Sequence, residues 1–476
     1  MKKLAVMLLS FVLIFAGPVA AKNIEIEGQV NQKVNYLNQE ELIEGITELN
    51  LEIEKEFGFD KKIYLNPVFK FSYNQDSDFS RLDLNKKNGE DGEYDILKEA
   101  YFDLYLKDAD VRVGKQIVSW GSAFKLNPTD VVNPIDYTAE DPTEAELSVP
   151  AVKTDYYFNY NTLLSGIMIG QHRPSPVPNN VENKINETGS EMIGEGLTED
   201  ITSTLINKYH REPLEAKQTA KTITTNIMNK NFTVNRAEKK DIENLSDVEI
   251  ALKFIRRNIK GYDISLSYFK GYGDIPLITS DYKQIEKKLK EIAGTYINQQ
   301  LQPSTEKVPL KFGYKKTQSL GLSGRGSIGD IGVWSELNYS QNEDEEKKVD
   351  IVLGGDYTFE NNFYTIVQLF HRSYKDYKIN SILENNGKER LLKDQNYLLL
   401  HGELPFRQIH TLKTDIIYNI EKKNYILKPH VNLSLSNNID FNIGTVVINE
   451  DKTNNDLSLF TLGGEKKTYL ELTYSF

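Results

Sequence analysis

The side chains able to serve as nucleophile, base or metal ligand are few and scattered. The six histidines stand at 172, 210, 371, 401, 410 and 430, and none shows the close spacing of a metal-binding helix. There is no cysteine, which excludes a disulfide framework, a thiolate metal site and lipid anchoring at an N-terminal cysteine. Gly321-Leu322-Ser323-Gly324 resembles a nucleophile elbow, but it is one residue too short and sits in strand-like sequence. Asn342-Glu343-Asp344-Glu345-Glu346 carries oxygen ligands that suit a hard cation, but the solvated acidic loop is the favoured reading. No catalytic residue, metal ligand or cofactor is assigned. A hydrolase would need a serine and a histidine side by side on one face.

The most distinctive stretch is 111–137, VRVGKQIVSWGSAFKLNPTDVVNPIDY. It combines charged residues with proline-braced turns. Pro128, Pro134 and Pro142 stiffen backbone and remove donors that would otherwise need partners. Asn127 and Asp130 flank Pro128, where their side chains can hold turns without a sheet. Such a segment suits a loop held in a fixed shape against a wall. Arg112, Gln116, Trp120, Lys125, Asp130 and Asp136 are the residues through which it would meet a solute.

The elements that must position this loop are strands. Alternation of apolar and polar residues recurs along most of the chain, as in Phe102, Leu104 and Leu106 against Asp103, Tyr105 and Lys107, or Ile264, Leu266 and Tyr268 against Asp263, Ser265 and Ser267. Strands are expected near 24–35, 46–55, 63–73, 97–107, 110–119, 153–160, 163–172, 247–256, 260–271, 313–325, 330–340, 348–359, 363–372, 395–404, 409–420, 424–434, 438–448 and 467–476. Every second gap is short, for example Asp108-Ala109 and Asn161-Thr162, while the gaps between are mostly long, as at 74–96, 120–152, 173–246 and 272–312. Short turns alternating with long loops are the organisation of a transmembrane barrel, which a soluble sandwich has no reason to copy. The expected fold is therefore all-β: a transmembrane antiparallel β-barrel of about 18 strands (16–18), with both termini on the short-turn, periplasmic side. Its lipid-facing band should include Phe102, Leu104, Ile264, Leu266, Leu470 and Leu472.

The two ends of the chain agree. Lys2 and Lys3, the apolar run Leu4–Phe15 and the small residues Val19-Ala20-Ala21 read as a secretory signal over 1–21, leaving 22–476 as the barrel. A run this short falls below the ~20 residues of a spanning helix. At the other end Leu470, Leu472, Tyr474 and Phe476 alternate with Glu471, Thr473 and Ser475. Tyr474 and the terminal Phe476 look like the signal read by the outer-membrane assembly machinery. The 27 tyrosines and 21 phenylalanines fit membrane interfaces, where an amphipathic ring has one wet end. A net charge of −12 with no basic stripe argues against nucleic acid as a partner.

Two long loops carry helical stripes, giving insertions over about 185–245 and 279–300. In 213–229, Pro213 occupies a first-turn position ahead of Leu214, Ala216, Ala220, Ile223 and Ile227. In 281–297, Ile285, Leu289, Ile292 and Tyr296 form one stripe with Thr279 and Ser280 as capping candidates. These helices either cap the mouth or fold inward as a plug.

Val113-Gly114-Lys115-Gln116, Trp120-Gly121, Asn127-Pro128-Thr129-Asp130 and Asn133-Pro134-x-Asp136-Tyr137 resemble a bacterial outer-membrane porin-like β-barrel family of unknown function, itself distantly similar to the alginate-export porins. Val149-Pro150-Ala151-Val152-Lys153 and Leu266-Ser267-Tyr268-Phe269-x-Gly271-Tyr272 fit the same family, so the likeness covers roughly 95–275. The resemblance implies a porin-like channel in the cell outer membrane and carries over no catalytic residue. Outer-membrane lipid, the assembly machinery and small solutes are the partners it implies. The principal reading is a channel for small solutes. The alternative is a plugged or structural barrel whose outer loops bind a partner or surface. In the channel reading loop 120–152 folds into the lumen, since an 18-strand barrel is otherwise too wide to select small solutes. Arg112 and Gln116 then point to the lumen beneath it, and Arg112 is expected to pair with Asp130 or Asp136. Whether these residues touch solute or anchor the loop stays open.

Overall fold

The structure, a computed structural model, describes residues 24–37, 42–74, 96–139, 141–177, 179–235, 247–298, 305–377, 393–449 and 466–476. The expected signal segment 1–21 lies outside these, as do 236–245 and 299–300 of the expected insertions.

Alternating sequence dictates extended chain, and each expected strand is present with its ends shifted by a few residues. The first seven are β1 (Glu25–Leu37), β2 (Leu42–Glu56), β3 (Lys61–Asn74), β4 (Leu97–Tyr105), β5 (Ala109–Gln116), β6 (Val149–Asn159) and β7 (Thr162–Ile169). After a short strand β8 (Phe232–Asn235) come β9 (Glu249–Ile259) and β10 (Tyr262–Tyr272), then two more short strands, β11 (Leu277–Ile278) and β12 (Val308–Gly313). The rest are β13 (Lys316–Ile328), β14 (Ile331–Asn342), β15 (Lys347–Thr358), β16 (Tyr364–Lys375), β17 (Gln395–Phe406), β18 (His410–Asn419), β19 (Tyr425–Ser436), β20 (Ile439–Asn449) and β21 (Lys467–Ser475). Apart from β8, β11 and β12 they form one 18-stranded sheet in which each strand pairs antiparallel with its neighbour. β1 pairs with β21, from Gln29–Ser475 to Leu37–Lys467, so the sheet closes on itself and no edge is left open. The terminal residue completes the seam: Phe476 N–H donates to Gly28 O at 2.9 Å, and Gly28 N–H donates to Phe476 O at 3.0 Å. A Cβ at position 28 would come within 2.5 Å of the Phe476 ring, so glycine makes the space that the terminal ring fills.

The two faces invert the pattern of a soluble protein. On β14, Trp334, Glu336, Asn338 and Ser340 are buried, while Leu337 and Tyr339 are exposed. Ile264, Leu266, Leu322, Leu353 and Leu470 belong to the same exposed apolar band, suited to hydrocarbon. Phe102, Leu104 and Leu472 share that face by register with Val113, Val111 and Phe441. Short turns such as 57–60, 160–161 and 329–330 gather at one end with both termini. The long connections 117–148, 170–248 and 273–315 gather at the other. Phe59 and Tyr160 stand almost fully exposed in the short turns, where a ring meets a bilayer boundary.

The insertions after β7 and β10 build a separate small unit. It consists of helices α1 (Asn179–Asn207), α2 (Pro213–Lys230) and α3 (Tyr282–Ile297) with the sheet β11-β12-β8. Ile193, Leu197, Ile201 and Leu205 of α1, Ala216, Ala220 and Ile227 of α2, Leu289 and Ile292 of α3 and Leu310 of β12 form its core. The helices pack on one another and on β8 and β12, which gives the unit its own interior. Pro213 sits in the first turn of α2 as expected. The cap of α3 differs from expectation: Asp281 accepts from Lys283 N–H at 2.9 Å, whereas Ser280 Oγ accepts from Lys311 N–H at 2.7 Å and joins the small sheet. A carboxylate one position closer to the helix outcompetes the hydroxyls. The first insertion also starts earlier than expected, at Asn179.

Candidate pore constriction

Loop 117–148 leaves the top of β5 and is fixed first at its base. Ile117 N–H donates to Glu99 at 2.8 Å. Asn133 staples the two arms: its Oδ1 accepts from Val118 N–H at 2.7 Å, and its Nδ2 donates to Gln116 O at 3.2 Å and Leu147 O at 2.7 Å. Val118, Trp120 and Val132 then pack against Val149, Ala151, Ile167, Ala251 and Phe269 on the inner wall. The chain turns sharply at Gly121, whose φ of +94° and lack of a side chain let Asn127 close over it. Asn127 Nδ2 donates to Trp120 O at 2.6 Å and locks the turn.

Beyond Gly121 the loop reaches strands more than 200 residues away in sequence. Glu336 of β14 accepts from the N–H groups of Ser122, Ala123 (2.9 Å) and Thr129 (3.2 Å), and from the Thr129 hydroxyl (2.9 Å). Gln368 of β16 accepts from Phe124 N–H at 2.8 Å and returns a hydrogen bond to Phe124 O at 2.8 Å, while Trp334 Nε1–H holds the Gln368 carbonyl at 2.7 Å. Ala123, Phe124 and Leu126 pack onto an apolar stretch of the inner wall that includes Ile366, Leu399 and Ile417. All these wall residues point inward, so the loop lies inside the barrel.

Charge gathers at the tip. Lys125 pairs with Asp141 (3.0 Å), Glu144 (2.8 Å) and Asp415 of β18 (3.2 Å), and Lys428 of β19 pairs with Asp141 (2.9 Å). His401 Nδ1 lies 2.6 Å from Asp415. Burial works against the Lys125 ammonium, but Asp141, Asp415 and Glu144 together outweigh it and hold the pKa above the usual lysine value. Burial opposes the Asp141 charge too, and Lys125 with Lys428 overcomes it and drives the carboxyl well below the usual range. Asp130 goes the other way: burial, reinforced by a hydrogen bond with the Glu146 carboxyl, pushes it well above an ordinary aspartate. Lys125 is thus a fixed cation that three carboxylates enclose.

Of the six residues singled out from the sequence, Lys125 reaches the far wall. Gln116 is fully buried and donates to Ala151 O at 3.0 Å, which ties the loop base to β6. Trp120 is buried in the wall packing, with the Lys253 ammonium 5.5 Å from its ring. Asp136 accepts from Thr138 N–H at 2.9 Å in a local turn. Arg112 departs from expectation. It pairs with Asp103, directly across the β4–β5 hairpin, at 2.7 and 3.0 Å and stacks on Tyr101, with neither Asp130 nor Asp136 in reach. Four residues of strand, ~13 Å, separate it from the loop base at Gln116. Asn133 stood in the family-like motif with no sign of its stapling role. Glu336, Gln368 and Asp415 were not singled out as loop partners: their alternation marks them as inward, and only the barrel register brings them to the loop.

The wall that the loop does not cover is acidic. Glu25, Glu27, Glu48, Glu52, Glu54 and Asp103 on β1, β2 and β4 share the face of the buried Asn35 and Asn66. Among the described residues the bases on that face are fewer, and Lys62 is paired with Glu54 and Arg112 with Asp103.

A family model described as "Protein of unknown function (DUF1302)" matches residues 48–456. No curated protein matches the chain. Among solved structures, Pseudomonas aeruginosa OccK5 (OpdH) is similar at 7% identity, covering 95% of this chain and 96% of that one with a TM-score of 0.47. Acinetobacter baumannii OccAB3 is similar at 9% identity over 95% and 98%, TM-score 0.48. A BenF-like porin from Pseudomonas fluorescens Pf-5 is similar at 10% identity over 96% and 99%, TM-score 0.48.

Proposed function

We propose that this chain, which belongs to the family described as "Protein of unknown function (DUF1302)", is a non-enzymatic outer-membrane channel for small hydrophilic solutes that favours cations. The observation that carries this reading is loop 117–148, held across the lumen by Glu336 and Gln368. An unobstructed 18-strand barrel encloses a wide aqueous channel. A loop clamped to the far wall leaves passage only along the uncovered side. That side is the acidic face of β1, β2 and β4, and fixed wall charge biases which ions pass. At the loop tip the cations Lys125 and Lys428 are neutralised by carboxylates, so they offer little to an anion. The lipid-facing band supports a barrel set in the outer membrane, and on this reading the short turns and both termini face the periplasm.

The test is reversal potential in a salt gradient across a planar bilayer holding the purified barrel. A preference for cations is expected, and K125M should increase it by removing the positive charge among Asp141, Glu144 and Asp415. Anion preference would overturn the acidic-wall argument. The apolar packing of Ala123, Phe124 and Leu126 favours the second reading, a plugged barrel whose cap binds a partner. Failure of a correctly folded barrel to conduct would select it.

A further inference from the structure

The outer surface of the barrel carries a groove that the channel reading does not use. It lies where β10, β13 and β14 reach the long-loop end, has a volume of about 440 Å³, and is lined by Tyr268, Lys270, Lys316, Gln318, Tyr339 and Gln341 among others. Register fixes its place. Leu266, Leu322 and Leu337 lie level with one another, then Tyr268, Leu320 and Tyr339, then Lys270, Gln318 and Gln341. The first level and Leu320 are well exposed on the lipid side. The surface therefore passes from hydrocarbon-facing leucine through tyrosine to amide and ammonium within about 13 Å of strand. That sequence of chemistries matches the outer boundary of a bilayer, where acyl chains give way to headgroups.

The polar groups are arranged to receive a ligand. Tyr268 hydroxyl donates to Gln318 at 3.1 Å and Tyr339 hydroxyl to Gln341 at 2.9 Å, so both glutamine carbonyls are engaged and each side chain keeps its amide N–H groups as donors. Lys316 is held at 2.9 Å from Asp247, against Tyr272. Lys270 is exposed and makes no ion pair among the described residues. The acidic groups in the lining are Asp247, committed to Lys316 and the Tyr272 hydroxyl, and Glu343 at the upper rim.

We propose that this groove holds the headgroup of a phosphorylated glycolipid of the outer leaflet. Lys270 meets the phosphate, the tyrosine rings and glutamine amides meet the sugar, and the acyl chains run down over Leu320, Leu322 and Leu337. A phospholipid lacking sugar would leave the amide and ring contacts unused, and a free phosphate would leave the leucines uncovered. The inference rests on the outer-membrane placement but not on conduction, so its test reads lipid retention. Purified full-length barrel, with folding checked by its heat-dependent gel mobility, is reconstituted with lipid A, dephosphorylated lipid A or phosphatidylglycerol. Bound lipid is then counted by native mass spectrometry. Lipid A is expected to be retained best and to resist inorganic phosphate. K270Q should lower its retention about fivefold, the effect of one lysine at a charged headgroup. Y339L should lower it as well. K375Q, a lysine on the same face and at the same end but on β16, should leave it unchanged. Equal retention by K270Q and unaltered protein, equal loss in K375Q, or equal retention of phosphatidylglycerol would each overturn the assignment.

Discussion

Replacing Glu336 with alanine is the most direct way to ask whether loop 117–148 sets the pore. The carboxylate accepts four hydrogen bonds from Ser122, Ala123 and Thr129 and is itself buried. A hydrogen bond to a charged group contributes about 1.5–3 kcal/mol, but four sharing one carboxylate do not add. Removing one member of a buried charged cluster costs about 3–5 kcal/mol. Water entering the lumen re-solvates the freed donors, which argues for the lower end. A loss of about 3 kcal/mol shifts the docking equilibrium of the loop roughly a hundredfold toward release. Gln368 and Lys125 still hold the tip, so release should be intermittent. Single-channel recording of E336A is expected to show bursts to a higher conductance and increased current noise. E336Q keeps the shape and an acceptor oxygen, and should fall between E336A and the unaltered protein. If E336A matches the unaltered protein in both conductance and noise, the loop does not gate the lumen and the argument from these bonds fails.

Three further outcomes are expected. Deleting Phe476 removes two seam hydrogen bonds and the ring over Gly28, and should reduce the heat-modifiable, membrane-inserted fraction; normal insertion would make the terminal aromatic incidental. Trypsin added to intact cells should cut between α1 and α2, where Lys208 and Arg211 are exposed, and protection there would contradict an external cap. Asp274 lies beyond the end of β10, and its carbonyl accepts from Ser175 N–H. Burial raises its carboxyl to about 7, with Glu249 acting in the same sense and His172 and Lys348 against. The folded state therefore favours the protonated form, so this group's contribution to stability falls as pH rises from about 4, the ordinary aspartate value, through about 7. Melting of the barrel should move to lower temperature over that window, and D274N should flatten the change. An unaltered pH dependence in D274N would assign the effect elsewhere.

The strands were legible because one physical constraint, an apolar outside and a polar inside, is written into alternate residues along each of them. Phe102–Leu104 and Ile264–Leu266 show it locally, with no knowledge of partners. Helix α1 was less visible, since Gly189, Gly194 and Gly196 and a run of serine and threonine interrupt its pattern and only Ile193, Leu197, Ile201 and Leu205 mark the buried stripe. The small sheet was invisible for a different reason: β8 and β12 pair in parallel across more than 70 residues, and neither is long enough to announce itself. At the constriction the loop was readable from its prolines and its turn-forming residues, but its partners belong to strands whose position is set by closure of the whole barrel. The Arg112–Asp103 pair was within reach of the sequence. The tight β4–β5 hairpin puts those two positions opposite each other, and a cross-strand neighbour precedes any loop contact.

The sequence distance between the loop and its anchors carries a cost for the cell that builds this barrel. Thr129 binds Glu336 across 207 residues, and Phe124 binds Gln368 across 244. Contacts so remote form late, after the intervening chain has been laid into the sheet. The loop cannot dock until β14 and β16 are in place, and its apolar tip has no wall to cover before then. A barrel that has sealed its seam while the loop still swings free is a broad hole in the permeability barrier. A substitution that slows docking is therefore expected to show as increased envelope permeability during assembly, even where the finished barrel is unaltered.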